Sequence, residues 1–164
     1  MPRRPLDPRR CNITIDNNAL DHNGSARDVL IDRLLDLEKA GKITLVVPQG
    51  VRRESQHPNT PAPVRVMMAE RIYTLPVERT SGERAELRRV QAILQGNAMP
   101  DKHAADADHL FEAGKYGGGY FVTNDRRILG KRSELAAVLP PTLNIVTIEE
   151  LFVVFDDYEA GRRL

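Results

Sequence analysis

The sequence predicts a single α/β domain with a mostly parallel sheet. Short apolar, β-branched runs alternate with segments of helical periodicity along the whole chain, the pattern of strands joined by crossover helices. Capping and stop residues fall at the joints between them. With 164 residues and a hydrophobic fraction of 41%, the chain can bury one real core but not two comfortable ones.

Asn12-Ile-Thr-Ile-Asp16 reads as the first strand, closed by an acid. After a loop at Asn23-Gly24, Ser25 and Asp28 form a Ser-x-x-Asp capping pattern. Leu30, Ile31, Leu34, Leu35 and Leu37 then recur at helical spacing as far as Gly41, a helix stop. Ile43 to Val47 is a continuous apolar run and reads as a buried strand. Pro48 can open the next helix, with Val51 and Glu54 in its first turns.

Prolines 58, 61 and 63 predict a loop, followed by helices over 64–75 and 84–94. The second is amphipathic through Leu87, Val90 and Leu94. A helix from Pro100-Asp101 carries Asp106, Leu110 and Phe111 to a stop near Gly114. Gly117 to Gly119 leads from helix into strand, the reverse of a phosphate loop, and is expected to be a flexible connector. Tyr120 to Asn124 is the next strand, closed by Asp125, and Asn144 to Thr147 the last. Thr147 and Glu150 make a full capping box for a closing helix through Leu151, Phe152 and Phe155. The domain is expected over 12–164, behind a basic, flexible arm over 1–11.

Composition narrows the function classes. Aromatic residues are 5% of the chain and Trp is absent, which disfavours a broad stacking platform for single strands. Cys11 is alone, so neither an intramolecular disulfide nor a cysteine-based zinc site can form. No apolar run approaches a membrane span, and a cytoplasmic, non-membrane protein is expected. Net charge is +1, yet residues 1–11 alone carry +3 and the remainder −2, so the arm is a candidate polyanion contact or else a solvated tail with Pro2, Pro5 and Pro8.

Connectivity brings the acids together. Ligands of open parallel sheets bind beyond the carboxyl ends of the strands, where Asp16 and Asp125 lie. Glu54 follows the second strand at the same edge. Asp106 sits early in a helix that must run antiparallel to the strand after it, which places it over that edge too. Clustered carboxylates repel unless a cation neutralises them, and oxygen-only ligands favour Mg²⁺ or Mn²⁺ over zinc. Any one of these acids could instead be a helix cap.

Four motifs at these residues resemble the PIN-domain ribonuclease family. Ile15-Asp16-Asn-Asn18-Ala-Leu resembles its opening motif, and Pro48-x-x-Val51-x-x-Glu54 its second. Asp106-Ala-Asp-His109-Leu-Phe-Glu-Ala113 is similar to the third, and Phe121-Val-Thr-Asn-Asp125-Arg-Arg-x-Leu129 to the fourth. The resemblance covers residues 12–155. It implies a Rossmann-like α/β/α sandwich that cleaves RNA with Mg²⁺ or Mn²⁺. By motif match, Asp16, Glu54, Asp106 and Asp125 are the metal-binding catalytic acids, supported by Asn18, Thr123 and Asn124. Many stand-alone members are toxins of bacterial toxin–antitoxin pairs and many form homodimers, so an antitoxin-type inhibitor and a second copy are implied partners. The long stretch between Glu54 and Asp106 and the basic arm depart from the compact toxin pattern.

Asp108 competes with Asp106 for the third position. The two point about 200° apart on a helix, so only one faces the site. The spacing to Asp125 selects Asp106. His103 and His109 flank it and are expected to pack or hydrogen-bond rather than bind metal. Arg126, Arg127, Lys131 and Arg132 are candidate contacts for RNA phosphates or a solvated face. Association, either with a second copy or with an inhibitor, is expected through the helices at 64–75 and 84–94. Two rival readings are a haloacid-dehalogenase-like phosphatase or phosphotransferase, which would want an Asp where Asn18 stands, and a silent RNA- or protein-binding module.

Overall fold

Residues 5–47, 58–69, 72–73, 79–98, 103–115 and 118–161 are described by a computed structural model of the protein. Among the described residues, short apolar runs form five strands: β1 (Asn12–Ile15), β2 (Thr44–Val47), β3 (Ile72–Tyr73), β4 (Gly119–Val122) and β5 (Leu143–Val146). They lie in the order β3-β2-β1-β4-β5, and every neighbouring pair is parallel. The helices are α1 (Arg27–Lys39), α2 (Ala62–Ala69), α3 (Ser81–Gln95), α4 (Ala104–Lys115), α5 (Arg126–Gly130), α6 (Arg132–Ala136) and α7 (Ile148–Glu159). This is an α/β fold of the Rossmann-like sandwich type.

Successive strand residues face opposite sides of the sheet, and two cores result. Ile13, Ile15, Leu45, Val47, Tyr120 and Val122 pack with Ile31 and Leu34 of α1 and with Leu151, Phe152 and Phe155 of α7. Phe121 faces the other way, onto Leu87, Val90 and Leu94 of α3, Leu110 of α4, Ile128 of α5 and Leu135 of α6. From β1 the chain proceeds towards β2, and from β4 towards β5, in opposite directions. Right-handed crossovers therefore put α1 and the α5–α6 pair on opposite faces. The order reverses between β1 and β4, and a crevice at such a switch point is where ligands of this architecture bind.

Several expectations need correction. The sequence pattern predicts a helix over 64–75, whereas α2 ends at Ala69 and an edge strand follows at Ile72–Tyr73. Two residues are too few to display a period. Asp28 does not complete a box with Ser25. Its carboxylate accepts from the Asn23 and Gly24 backbone N–H groups at 3.1 and 2.8 Å, tying down the loop ahead of the helix. Gly119, expected in the connector, is the first residue of β4, and Gly118 and Gly119 both have positive φ (69° and 99°). A Cβ at Gly119 would stand 2.2 Å from the Asn12 carbonyl oxygen, so glycine lets β4 lie directly against the start of β1.

The expected flexible arm is also different in its described part. The Tyr120 hydroxyl donates to the Leu6 carbonyl at 2.6 Å and the Tyr158 hydroxyl to the Pro5 carbonyl. Arg9 pairs with Asp7 at 2.8 Å and with Glu159 at 3.3 Å. Residues 5–11 are thus docked at the amino edge of the sheet. The four residues of β1 separate them from the carboxyl edge by about 13 Å. Arg3 and Arg4 lie outside the described residues.

Candidate active site

Asp16 follows β1 directly and is 5% exposed. Its backbone N–H donates to Val122 O at 3.0 Å, which ties it to the end of β4. A 3₁₀ turn over Asn17–Leu20 follows, pinned by the fully buried Ala19 and Leu20, and carries Asn18 towards β4. There Asn18 Oδ1 accepts from the Asn124 N–H at 3.2 Å, while Asn124 Nδ2 donates to Asn18 O at 3.0 Å. Asn124 Oδ1 is buried without a hydrogen-bond partner among the described residues.

Thr123 joins the two edge acids. Fully buried, it donates its hydroxyl to Asp16 Oδ2 at 2.9 Å and accepts the Asp125 N–H at 3.0 Å. Asp125 caps α5, its Oδ1 accepting from Arg127 N at 2.8 Å and Ile128 N at 3.4 Å. Both capping bonds fall on one oxygen. Oδ2 has no hydrogen-bond partner among the described residues, so capping does not use up the carboxylate.

Asp106 comes from the first turn of α4. Burial, then the negative charges of Asp16 and Asp125, push its carboxyl above the usual aspartate range. His109 and His103 oppose that shift, His103 Nδ1 lying 3.5 Å from Asp106 Oδ2. His109 is 1% exposed, and its pKa is lowered by burial against the opposing charges of Asp106, Glu112 and Asp108. It is therefore neutral near pH 7. Asp108 instead meets Arg79, whose Nη1 donates to its Oδ1 at 3.2 Å. The two acids project to different sides of α4, and the one that senses Asp16 and Asp125 is Asp106.

This chain matches no protein-family model, no curated protein and no solved structure.

Three of the four sequence-predicted acids thus share one electrostatic environment at the carboxyl edge, while Glu54 lies outside the described residues. The donor set suits a hard cation in type and charge, being carboxylate oxygens that repel one another. Among the described residues, however, no three His, Cys, Asp or Glu side chains are gathered closely enough to hold an ion.

The four candidate basic contacts divide. Arg127 donates from Nε to Leu94 O and from Nη2 to Gln95 O, closing the carbonyl end of α3. Arg132 donates to both Glu150 carboxylate oxygens at 2.8 and 2.9 Å, and Lys131 pairs with Glu134 at 3.5 Å. Arg126 is exposed, with no ion-pair or hydrogen-bond partner among the described residues. Arg79 is not among the residues the sequence singles out. Besides Asp108 it reaches Glu112 at 3.8 Å and stands over the Phe111 ring at 5.1 Å, holding three residues of α4 at once. A lone arginine before a helix carries no local signal of such contacts.

Proposed function

We propose that this chain is a Mg²⁺- or Mn²⁺-dependent endoribonuclease of the PIN type. The observation that carries the reading is the convergence of Asp16 and Asp125, joined through Thr123, with Asp106 close enough to feel both charges, at the carboxyl edge where the strand order switches. Binding alone gives no reason to bring repelling carboxylates together in a half-buried place. An ion bound by Asp16, Asp106, Asp125 and the expected Glu54 would supply positive charge for an approaching phosphodiester and Lewis acidity to activate water.

The chain's own residues prepare that site. Thr123 orients Asp16 by donating to one of its oxygens, and the α5 cap fixes the rotamer of Asp125. Asn18 and Asn124 lock the two loops to each other. Of the basic residues after Asp125, Arg126 keeps its charge available for an RNA phosphate, whereas Arg127 and Arg132 serve the fold. We assign the protein to the cytoplasm, with RNA as substrate and an antitoxin-type inhibitor as a candidate partner. Among the described residues no helix is long and apolar enough to cross a membrane.

The test is cleavage of total RNA in Mn²⁺ by wild type and by Asp16→Asn. Wild-type cleavage that stops in excess chelator, and none by the variant, is the expected result. Equal cleavage by both proteins overturns the assignment.

A further inference from the structure

The outward face of α3 is basic where its inward face is apolar. Leu87, Val90 and Leu94 are buried in the core, so the stripe expected to mediate association is consumed within the chain. Arg84 and Arg88, both exposed, lie one turn and about 6 Å apart along the axis, and share a helical stripe with Gln91 and Gln95. Arg84 donates to the Arg79 carbonyl at 2.8 Å and to Ser81 Oγ at 3.4 Å, contacts that orient the guanidinium without cancelling its charge. The Arg88 side chain has no ion-pair or hydrogen-bond partner among the described residues. The acids of the helix are elsewhere. Glu83 pairs with Lys115 of α4, and Glu86 stands about 200° round the helix from both Arg84 and Arg88, on the flank of Arg89. Beside α6, which packs against α3, Lys131 and Glu134 pair with each other, and Arg132 pairs with Glu150.

The stripe runs towards the acidic site. α3 ends at Gln95, and there Arg127 donates to the Leu94 and Gln95 carbonyls, setting a cation on the partial negative charge of the helix C-terminus. Arg126, between Arg127 and Asp125, is exposed. Positive groups therefore follow one another from Arg84, about 16 Å back along the helix from Gln95, to the carboxylates at the sheet edge. A strand of phosphates matches that arrangement, with the arginines positioning its backbone and the scissile phosphate lying against the acids. With few aromatic side chains on which bases could stack, backbone contacts are the means this chain has of holding a single strand.

We propose that the Arg84–Arg88 stripe of α3 is a phosphate track that leads a single RNA strand to the acidic site. RNA as the ligand rests on the nuclease reading, whereas binding is measured without catalysis, so the two can fail separately.

Fluorescence anisotropy with a labelled oligouridylate, titrated at several salt concentrations, tests the track in an Asp16→Asn background that leaves the RNA intact. Each phosphate contact to a single strand contributes about −0.7 to the slope of log K against log salt. Arg88→Gln should make the slope shallower by about 0.7, and Arg84→Gln combined with Arg88→Gln by about 1.4. Lys39→Gln, which removes an exposed cation on α1 across the sheet, should leave it unchanged. Arg84 also braces the first turn of α3, so Arg88→Gln, which breaks no contact among the described residues, keeps the test clear of misfolding. A shallower slope beside a wild type that cleaves no RNA supports the track and counts against the nuclease reading alone. An unchanged slope in the folded variants overturns the track, whether or not wild type cleaves. An equal change in Lys39→Gln overturns it too. So do variants that lose binding to polyglutamate but not to RNA, which would mark the stripe as a seat for an acidic protein.

Discussion

Asp125 performs two tasks with two oxygens, and substitutions can separate them. Asn is as good an N-cap as Asp, whereas Ala removes the cap at a cost of about 1 kcal/mol. Asp125→Asn should therefore lose RNA cleavage with no loss of stability, and with a gain where removing its charge relieves Asp106, whereas Asp125→Ala should lose cleavage and fall below Asp125→Asn by about the worth of the cap. If Asp125→Asn cleaves at the wild-type rate, the residue is a cap alone. Asp106 carries a pH signature. Its pKa in the folded chain lies above the ordinary 3.8, so the folded state binds more protons than the unfolded state, and stability falls as pH rises through that interval. Asp106→Asn should raise the melting temperature at pH 7 and leave it unchanged below pH 3.8. A gain of the same size at both pH values would remove electrostatic crowding as its cause. Asp108→Asn should have little effect on cleavage, because its carboxylate faces Arg79.

At the scale of elements, the close approach of β4 to β1 predicts that Gly119→Ala fails badly. The new methyl would meet backbone rather than a flexible side chain, at a φ of 99°. The unfavourable φ alone costs roughly 1–3 kcal/mol, and the clash adds to it. Urea unfolding should show a loss above that range, and a loss below about 1 kcal/mol would mean the strands can part without penalty. What the sequence made legible follows from how local each signal is. The Thr147–Glu150 box announced α7, and its two reciprocal bonds are present at 2.9 and 3.2 Å. The equivalent Thr80–Glu83 box starts α3 at Ser81, three residues before the helix read from its apolar stripe, and it stood in the sequence unused. The strands leading to Asp16 and Asp125 were readable because short runs of β-branched or aromatic residues are followed by an acid. β3 and the five-residue α5 and α6 were not, since elements so short show no period. Nor could Arg127 be told from a phosphate contact, because its partners on α3 lie about 32 residues away.

For the whole molecule, the two sheet edges have different roles. The amino edge holds the N-terminal segment through Tyr120, Tyr158 and Arg9, so removing residues 1–10 should lower stability more than it alters the chemistry at the opposite edge. The carboxyl edge concentrates negative charge, and this leads to a prediction that needs no RNA substrate. An ion bound by the folded chain alone stabilises it by RT ln(1 + [L]/Kd), about 2.7 kcal/mol at one hundred times Kd. In a chain of this length that corresponds to a rise of roughly 5–11 °C in melting temperature. Wild type should therefore melt higher with Mn²⁺ in a saturating titration and return to its starting value with excess chelator. Asp16→Asn should behave oppositely in each respect. Relief of repulsion raises its melting temperature without metal, and loss of a ligand removes most of the Mn²⁺ response. Ca²⁺ serves as a control for charge alone, because it accepts larger and looser oxygen shells than Mg²⁺ or Mn²⁺. A wild-type melting temperature indifferent to Mn²⁺, or a response that survives Asp16→Asn undiminished, would mean that the acids at this edge do not bind an ion, and the nuclease reading would fall with them.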